Sequence, residues 1–210
     1  DPDIRIHLYL EADYFDLCID TSGQPLYQRG FRKSSVEAPI RENLAAGILA
    51  LSGWQPGDPL LDPMCGSGTI AIEAALIAKQ RAPGLLRSNY GCTKWLGADT
   101  EAWAQMRSDA KKLQVKADPA PIIATDIEEE AIDATRKNAV TAGVDHLIDF
   151  HVCDFAETPM PEECGDVVLH GEYGVRLGDE DELISTYKRI GDYLKTDCAG
   201  WDGFIFTSGK

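Results

Sequence analysis

At 210 residues the chain is long enough for one good-sized α/β domain with a small extension. Its formal net charge of −15 argues against a general nucleic-acid coat. No apolar run approaches the ~18 residues of a membrane-spanning helix. The start, Asp1-Pro2-Asp3-Ile4, lacks the basic and apolar regions of a secretory signal, so a cytoplasmic location and no membrane partner are expected. Cys18, Cys65, Cys92, Cys153, Cys164 and Cys198 are scattered, with no Cys-x-x-Cys and no Cys/His cluster. That pattern predicts no metal site and no disulfide framework, and it places most of the cysteines in the interior as small apolar residues.

Ile4 to Leu10 alternates, with Ile4, Ile6, Leu8 and Leu10 on one face. Phe15 to Asp20 continues in the same way after the polar Glu11-Ala12-Asp13, and the pair predicts a β-hairpin. Gln24 to Ser35 reads as a polar link, which divides the chain into a hairpin and linker over 1–35 and a main domain over 36–210. Pro39 to Leu51 predicts a helix with Pro39 in its first turn and Ile40, Leu44, Ile48 and Leu51 in phase. Pro59-Leu60-Leu61-Asp62 reads as a short buried strand, Pro63 to Gly68 as a glycine turn, and the apolar stretch to Ala78 as a helix. Ala82-Pro83-Gly84 breaks that helix, and 85–98 is irregular, basic and aromatic. Thr100 to Val115 predicts a helix with Trp103, Met106, Ala110 and Leu113 as its apolar side. Strands are expected at Pro121–Thr125, Leu147–Cys153, Asp166–Leu169 and Gly203–Thr207, and helices at Ile127–Ala142 and Asp181–Lys195. Strands separated by helices imply a parallel doubly wound sheet.

The glycine turn is the most specific local signal. Glycines let the backbone approach a ligand, and the following helix start aims free N–H groups at it. A dinucleotide loop would have a third glycine where Ala71 stands, and a phosphate-binding P-loop needs a lysine that is absent between Asp62 and Ala78. Asp62 at the strand tip suits an amine, a sulfonium or a ribose hydroxyl. What is left is S-adenosylmethionine, and Asp62-Pro63-Met64-Cys65-Gly66-Ser67-Gly68-Thr69 resembles motif I of the class I methyltransferases.

Ligands of such sheets bind at the carboxyl ends of the strands. Here those ends carry Asp62, Asp126 followed by Ile127, and Asp154 followed by Phe155. Asp126 is suited to accept ribose hydroxyls, and Asp154 the exocyclic amine of adenine with Phe155 beside the ring. Asp126 lies well past the ~20 residues that separate turn and acid in a minimal unit, so Lys79 to Val115 reads as an insertion. Two basic islands, Arg29-Arg32-Lys33-Arg41 and Lys79-Arg81-Arg87-Lys94, could hold phosphates or form solvated faces.

The fourth strand ends in His170-Gly171-Glu172-Tyr173-Gly174-Val175-Arg176-Leu177-Gly178. With Tyr27-Gln28-Arg29-Gly30-Phe31-Arg32, Ala38-Pro39-Ile40-Arg41-Glu42-Asn43, Arg81-Ala82-Pro83-Gly84, Asn138-Ala139 and Gly200-Trp201, it resembles the methyltransferase domain of the THUMP-associated RNA guanine-N2 methyltransferases, most closely the bacterial 23S ribosomal RNA group. The resemblance implies a Rossmann-like class I fold, truncated at its C-terminal hairpin, and an upstream THUMP-type RNA-binding domain. It implies S-adenosylmethionine held by Asp62, Pro63, Met64, Cys65, Gly66, Gly68, Thr69, Asp126, Ile127, Asp154 and Phe155. It also implies ribosomal RNA as the partner, with Arg29, Arg32, Lys33, Arg81 and Arg87 on the substrate side. The family's Asn-Pro-Pro-Tyr-Gly is replaced in its first three positions by His170, Gly171 and Glu172. Tyr173 would then stack on the base while His170 and Glu172 accept the amine hydrogens. The alternatives are methylation of an amine in DNA adenine or protein glutamine, and a cofactor-binding module without turnover.

Overall fold

The computed structural model describes residues 4–34, 39–171 and 180–207. The expected hairpin comes first, formed by β1 (Ile6–Glu11) and β2 (Tyr14–Ile19), with Ile6 opposite Ile19, Leu8 opposite Leu17 and Leu10 opposite Phe15. These three pairs form one apolar face, and all twelve strand residues are exposed.

The main sheet holds β3 (Leu60–Asp62), β4 (Ile122–Asp126), β5 (Ile148–Val152), β6 (Asp166–Leu169) and β7 (Asp202–Ile205). Its order is β5-β4-β3-β6-β7 and every neighbouring pair is parallel. The chain steps outward from β3 through β4 to β5, then crosses back to β6, so the order reverses between β3 and β6. That reversal opens a crevice above the carboxyl ends of these strands.

Strand side chains alternate between two cores. Leu60, Ile122 and Val168 face the layer of α1 (Glu42–Ser52), α2 (Thr69–Ala78) and α4 (Glu129–Ala142). Leu61, Ile123 and Val167 face Ile190 and Tyr193 of α5 (Glu180–Thr196). Within α2 only Ile77 is exposed, which explains a helix apolar on nearly all sides: it is packed between the sheet and its helical neighbours.

The structure corrects three expectations here. The first helix starts at Glu42 rather than Pro39, because Arg41 is its extended N-cap residue and Ile40 is held outside the helix, its carbonyl accepting from Arg32 Nη2. α3 (Thr100–Lys112) stops before Leu113 and keeps every residue at least partly exposed, with Met106 59% and Leu113 69% accessible; of its expected apolar side, Trp103 packs edge-on to Tyr90 at 4.9 Å. Of the cysteines, Cys65 and Cys198 are buried, whereas Cys18 and Cys164 are exposed and Cys92 and Cys153 lie between. Among the described residues no helix is long and apolar enough to cross a membrane.

Candidate active site

Asp62 ends the central strand fully buried. One carboxyl oxygen, Oδ2, accepts from Ala71 N in the first turn of α2 at 3.2 Å, and Oδ1 has no hydrogen-bond partner among the described residues. Burial, and then the nearby Asp126, push its pKa up to about 7, against the lowering effect of the Ala71 amide. The folded protein therefore binds more protons than the unfolded chain between about pH 4 and 7. The stability linked to Asp62 is fully present below that window and is lost as pH rises through about 7. Asp62→Asn is expected to flatten this slope in urea titrations run from pH 4 to 8 and to raise stability at pH 8 by about 1–3 kcal/mol.

The turn after Asp62 is fixed by its neighbours. Pro63 is buried beside Asp62, and Cys65 N donates to Thr125 O at 3.0 Å. Gly66 N donates to Asp126 Oδ2 at 2.9 Å, and Glu128 N to Asp126 Oδ1 at 3.0 Å. Thr135 of α4 donates to Gly66 O at 2.9 Å. Gly68, the N-cap of α2, has φ +76°, and a Cβ there would lie 2.3 Å from Thr135 Cγ2. Only glycine meets both conditions. Burial drives the Cys65 thiol well above its ordinary value, so it is a neutral wall of the turn.

Asn138 was singled out by sequence only as part of a matching dipeptide. Its fully buried amide accepts from Lys33 N at 2.8 Å and Ser34 N at 3.0 Å, and donates to Ser34 O at 2.8 Å and Ser67 O at 3.1 Å. It clamps the linker to the glycine turn. The available signal was an asparagine on the inward phase of a helix whose other buried residues are Ala131, Ile132, Ala134, Thr135, Ala139 and Ala142.

The remaining strand ends converge on the same crevice. Ile127, beside Asp126, is 65% exposed and presents an apolar surface at the end of β4. Asp154 Oδ1 accepts from Ala156 N at 3.0 Å and from Arg189 Nη2 of α5 at 2.8 Å. Partial burial pushes this carboxyl up, but the Arg189 hydrogen bond, the Ala156 amide and the Arg189 charge outweigh it and hold the pKa below its ordinary value. Phe155 is buried, edge-on to Tyr193 at 5.6 Å, with the Arg189 guanidinium 4.7 Å from its ring centre. Its ring is taken up by the second core.

His170 follows the last residue of β6, half-buried, its ring centre 5.7 Å from that of Phe206. Burial lowers its pKa, which favours the neutral imidazole near pH 7. A Cβ on Gly171 would lie 3.4 Å from Met64 Sδ, so Met64 links the glycine turn to the end of β6. Glu172 and Tyr173 lie outside the described residues.

The arginines expected on the substrate side are directed inward. Arg29 makes a two-pronged ion pair with buried Glu73 of α2, at 3.2 and 3.3 Å. Arg32 donates to Ile40 O and to Thr69 Oγ1, and sits 3.6 Å from Glu42. Thr69 is thus a buried link of α2 to this segment. Arg81 Nη1 donates to Ala142 O and so caps the end of α4. Arg87 is buried, donates to the carbonyls of Ser22, Gln24, Pro25 and Asn89, and stacks over Tyr90 at 4.8 Å. Each of the four donates to an internal acceptor, which reads as a scaffold role rather than a phosphate contact, although Arg32 Nε and Arg81 Nε have no hydrogen-bond partner among the described residues. Lys33 is exposed, as is Arg41, whose guanidinium lies 5.1 Å from the Tyr27 ring centre.

A turn whose Gly68 has no room for a Cβ, a buried acid with an oxygen unpartnered among the described residues and two further strand-end carboxylates fit a ligand with a cationic amino-acid end, a ribose and an adenine. The class is that of the class I methyltransferase fold, with its parallel sheet reversing at β3 and flanking helices on both faces. Residues 29–210 match the RMKL-like methyltransferase domain, and the chain belongs to that family. It is similar to a possible methylase from Clostridium difficile 630 (39% identity, TM-score 0.86, 97% of this chain and 53% of that one). It is also similar to a predicted N6-adenine-specific DNA methylase from Listeria monocytogenes (37%, TM-score 0.88, 98% and 53%). A third similar structure is SMU.472, crystallised with S-adenosylhomocysteine (30%, TM-score 0.89, 99% and 54%). The chain spans about half the length of each of these proteins.

Proposed function

We propose that this domain methylates an exocyclic amine of an RNA base, the N2 amine of guanine in ribosomal RNA, and that the complete protein carries an RNA-binding domain beside it. S-adenosylmethionine is the cofactor and supplies an electrophilic methyl group. Asp62 and the amides of the glycine turn receive the charged end of that cofactor, Asp126 its ribose, Ile127 one face of the adenine and Asp154 the adenine amine. The reading of Asp62 is supported by its orphaned buried oxygen.

Guanine N2 is a weak nucleophile, because its lone pair is delocalised into the ring. The protein's work is to align that amine and to accept its hydrogens. His170, neutral at working pH, accepts through a ring nitrogen at the end of β6. A paired base must be unstacked to reach the crevice, and Tyr173 stacks on it. The observation that carries the RNA reading is the joint between the cofactor turn and the segments that resemble the RNA guanine-N2 group. Arg29, Arg32 and the Asn138 clamp build residues 29–34 onto α2 and the turn. The exposed cations of that region, Lys33 and Arg41, are the phosphate contacts.

Two measurements test this. Asp126→Ala is expected to weaken S-adenosylhomocysteine binding by about 1–3 kcal/mol in calorimetry; an unchanged affinity, or equal binding of NAD by the native protein, would remove the cofactor assignment. Native protein given labelled S-adenosylmethionine with unmodified total RNA, and separately with unmethylated DNA, is expected to label N2-methylguanosine in RNA. Label in N6-methyladenine of DNA would replace that substrate with the one for which the Listeria relative is named.

A further inference from the structure

Asp154 is held at the end of a chain of packed side chains. Tyr193 of α5 packs edge-on to Phe155, Phe155 carries the Arg189 guanidinium on its ring face, and Arg189 reaches Asp154. Both donors present, Ala156 N and Arg189 Nη2, take the same oxygen, Oδ1. Oδ2 has no hydrogen bond among the described residues. A carboxylate with one oxygen held by two donors has its plane fixed, and its other oxygen is left as a pure acceptor.

We propose that Arg189 is a positioning residue for cofactor selectivity: by holding Asp154 Oδ1 it orients Oδ2 as an ionised acceptor for the adenine amine, so that the crevice takes adenine and rejects a purine with oxygen at that position. This rests on the reading above in which Asp154 receives the adenine amine. It also gives Phe155 a different purpose from the one its sequence position implied, as the platform that sets the guanidinium plane. A purine bearing a carbonyl oxygen in place of the amine sets acceptor against acceptor at Oδ2, and a site built for a donor discriminates strongly against such an analogue. Without the arginine, the carboxylate is free to rotate and is more easily protonated. A protonated or rotated carboxyl can donate to the carbonyl purine, and the discrimination collapses.

The test compares binding of S-adenosylhomocysteine and S-inosylhomocysteine by calorimetry, at pH 7 and at pH 5, in the native protein and in Arg189→Met, Arg189→Gln and Arg189→Lys. The Arg189 side chain is 53% exposed, and thermal melts of each variant check that the fold is kept. The native protein is expected to prefer the adenosyl ligand by about tenfold or more. Arg189→Met is expected to bring the ratio below about threefold, with a larger loss at pH 5 as Asp154 takes up a proton. Arg189→Gln, which keeps a neutral donor, falls between, and Arg189→Lys, which keeps the cation, retains most of the preference. Equal weakening of both ligands in Arg189→Met, with the ratio intact, would reduce Arg189 to scaffold and overturn the proposal. A native protein that binds both ligands equally would overturn it through Asp154. A folded native protein that binds neither would instead remove the cofactor reading beneath it.

Discussion

Arg29→Ala is expected to destabilise the domain by about 3–5 kcal/mol, because it leaves Glu73 buried without its partner. Glu73 is 2% exposed in the middle of an apolar helix, and burial already raises its pKa despite the opposing pull of the Arg29 hydrogen bond and charge. With the guanidinium gone, the carboxylate has to protonate or stay charged in the interior. The loss should therefore be larger at pH 8 than at pH 5, read as the shift in urea midpoint. Replacing both partners, Arg29→Met with Glu73→Leu, is expected to recover most of the stability, since two apolar side chains can fill the space of a buried pair. A fully stable Arg29→Ala protein whose only defect was weaker RNA binding would return Arg29 to the substrate side.

The second large effect is expected at Gly68. An alanine there carries the penalty of a left-handed backbone and drives a methyl group into Thr135, for a total cost of about 2–4 kcal/mol. Thr135 cannot turn aside cheaply: it is fully buried on α4, and its hydroxyl holds Gly66 O. Cofactor affinity should fall with stability, because the same turn presents the amides. Thr135→Ala removes the two closest atoms met by the new Cβ, so the double variant should be less damaged than the sum of the singles. Additive costs in denaturant titrations would show that the clash is not the cause.

The parts of the site that local chemistry dictates were legible in the sequence. An apolar run ending in an acid, then glycines, then an apolar helix can hardly be anything but a strand, a turn and a helix. The acids Asp62, Asp126 and Asp154 follow from the strand assignments alone. That the sheet is parallel followed too, since strands separated by helices leave little choice, whereas the strand order came from the structure. What the sequence hid was which charges neutralise each other across long separations. Arg29 looked like part of a basic island because Glu73 is 44 residues away, and Arg32 because Glu42 stands just past the island's end. The clue was Glu73 itself: a lone acid in Thr69-Ile70-Ala71-Ile72-Glu73-Ala74-Ala75-Leu76-Ile77-Ala78 has to find a cation if the helix is buried. The packing of Phe155 was hidden for a related reason, because its contact with Tyr193 joins residues far apart in the chain. The α3 stripe misled because the helix lies against the short 83–94 turns, where Trp103 meets Tyr90 and Arg107 donates to the carbonyls of Gly84 and Leu85, while Met106 stays exposed.

The Asn138 clamp bears on how the molecule breathes. One side chain joins the backbone at Lys33 and Ser34 to the backbone at Ser67, so neither strip can detach without stripping a buried amide of partners. The two strips are therefore expected to open as one cooperative unit, with their amide protons exchanging with solvent at a common rate in native-state hydrogen exchange. A ligand that rests on the glycine turn should then slow exchange at Lys33 and Ser34 as well, through the shared Asn138 side chain. The segment read from sequence as a passive linker thereby reports on the occupancy of the crevice.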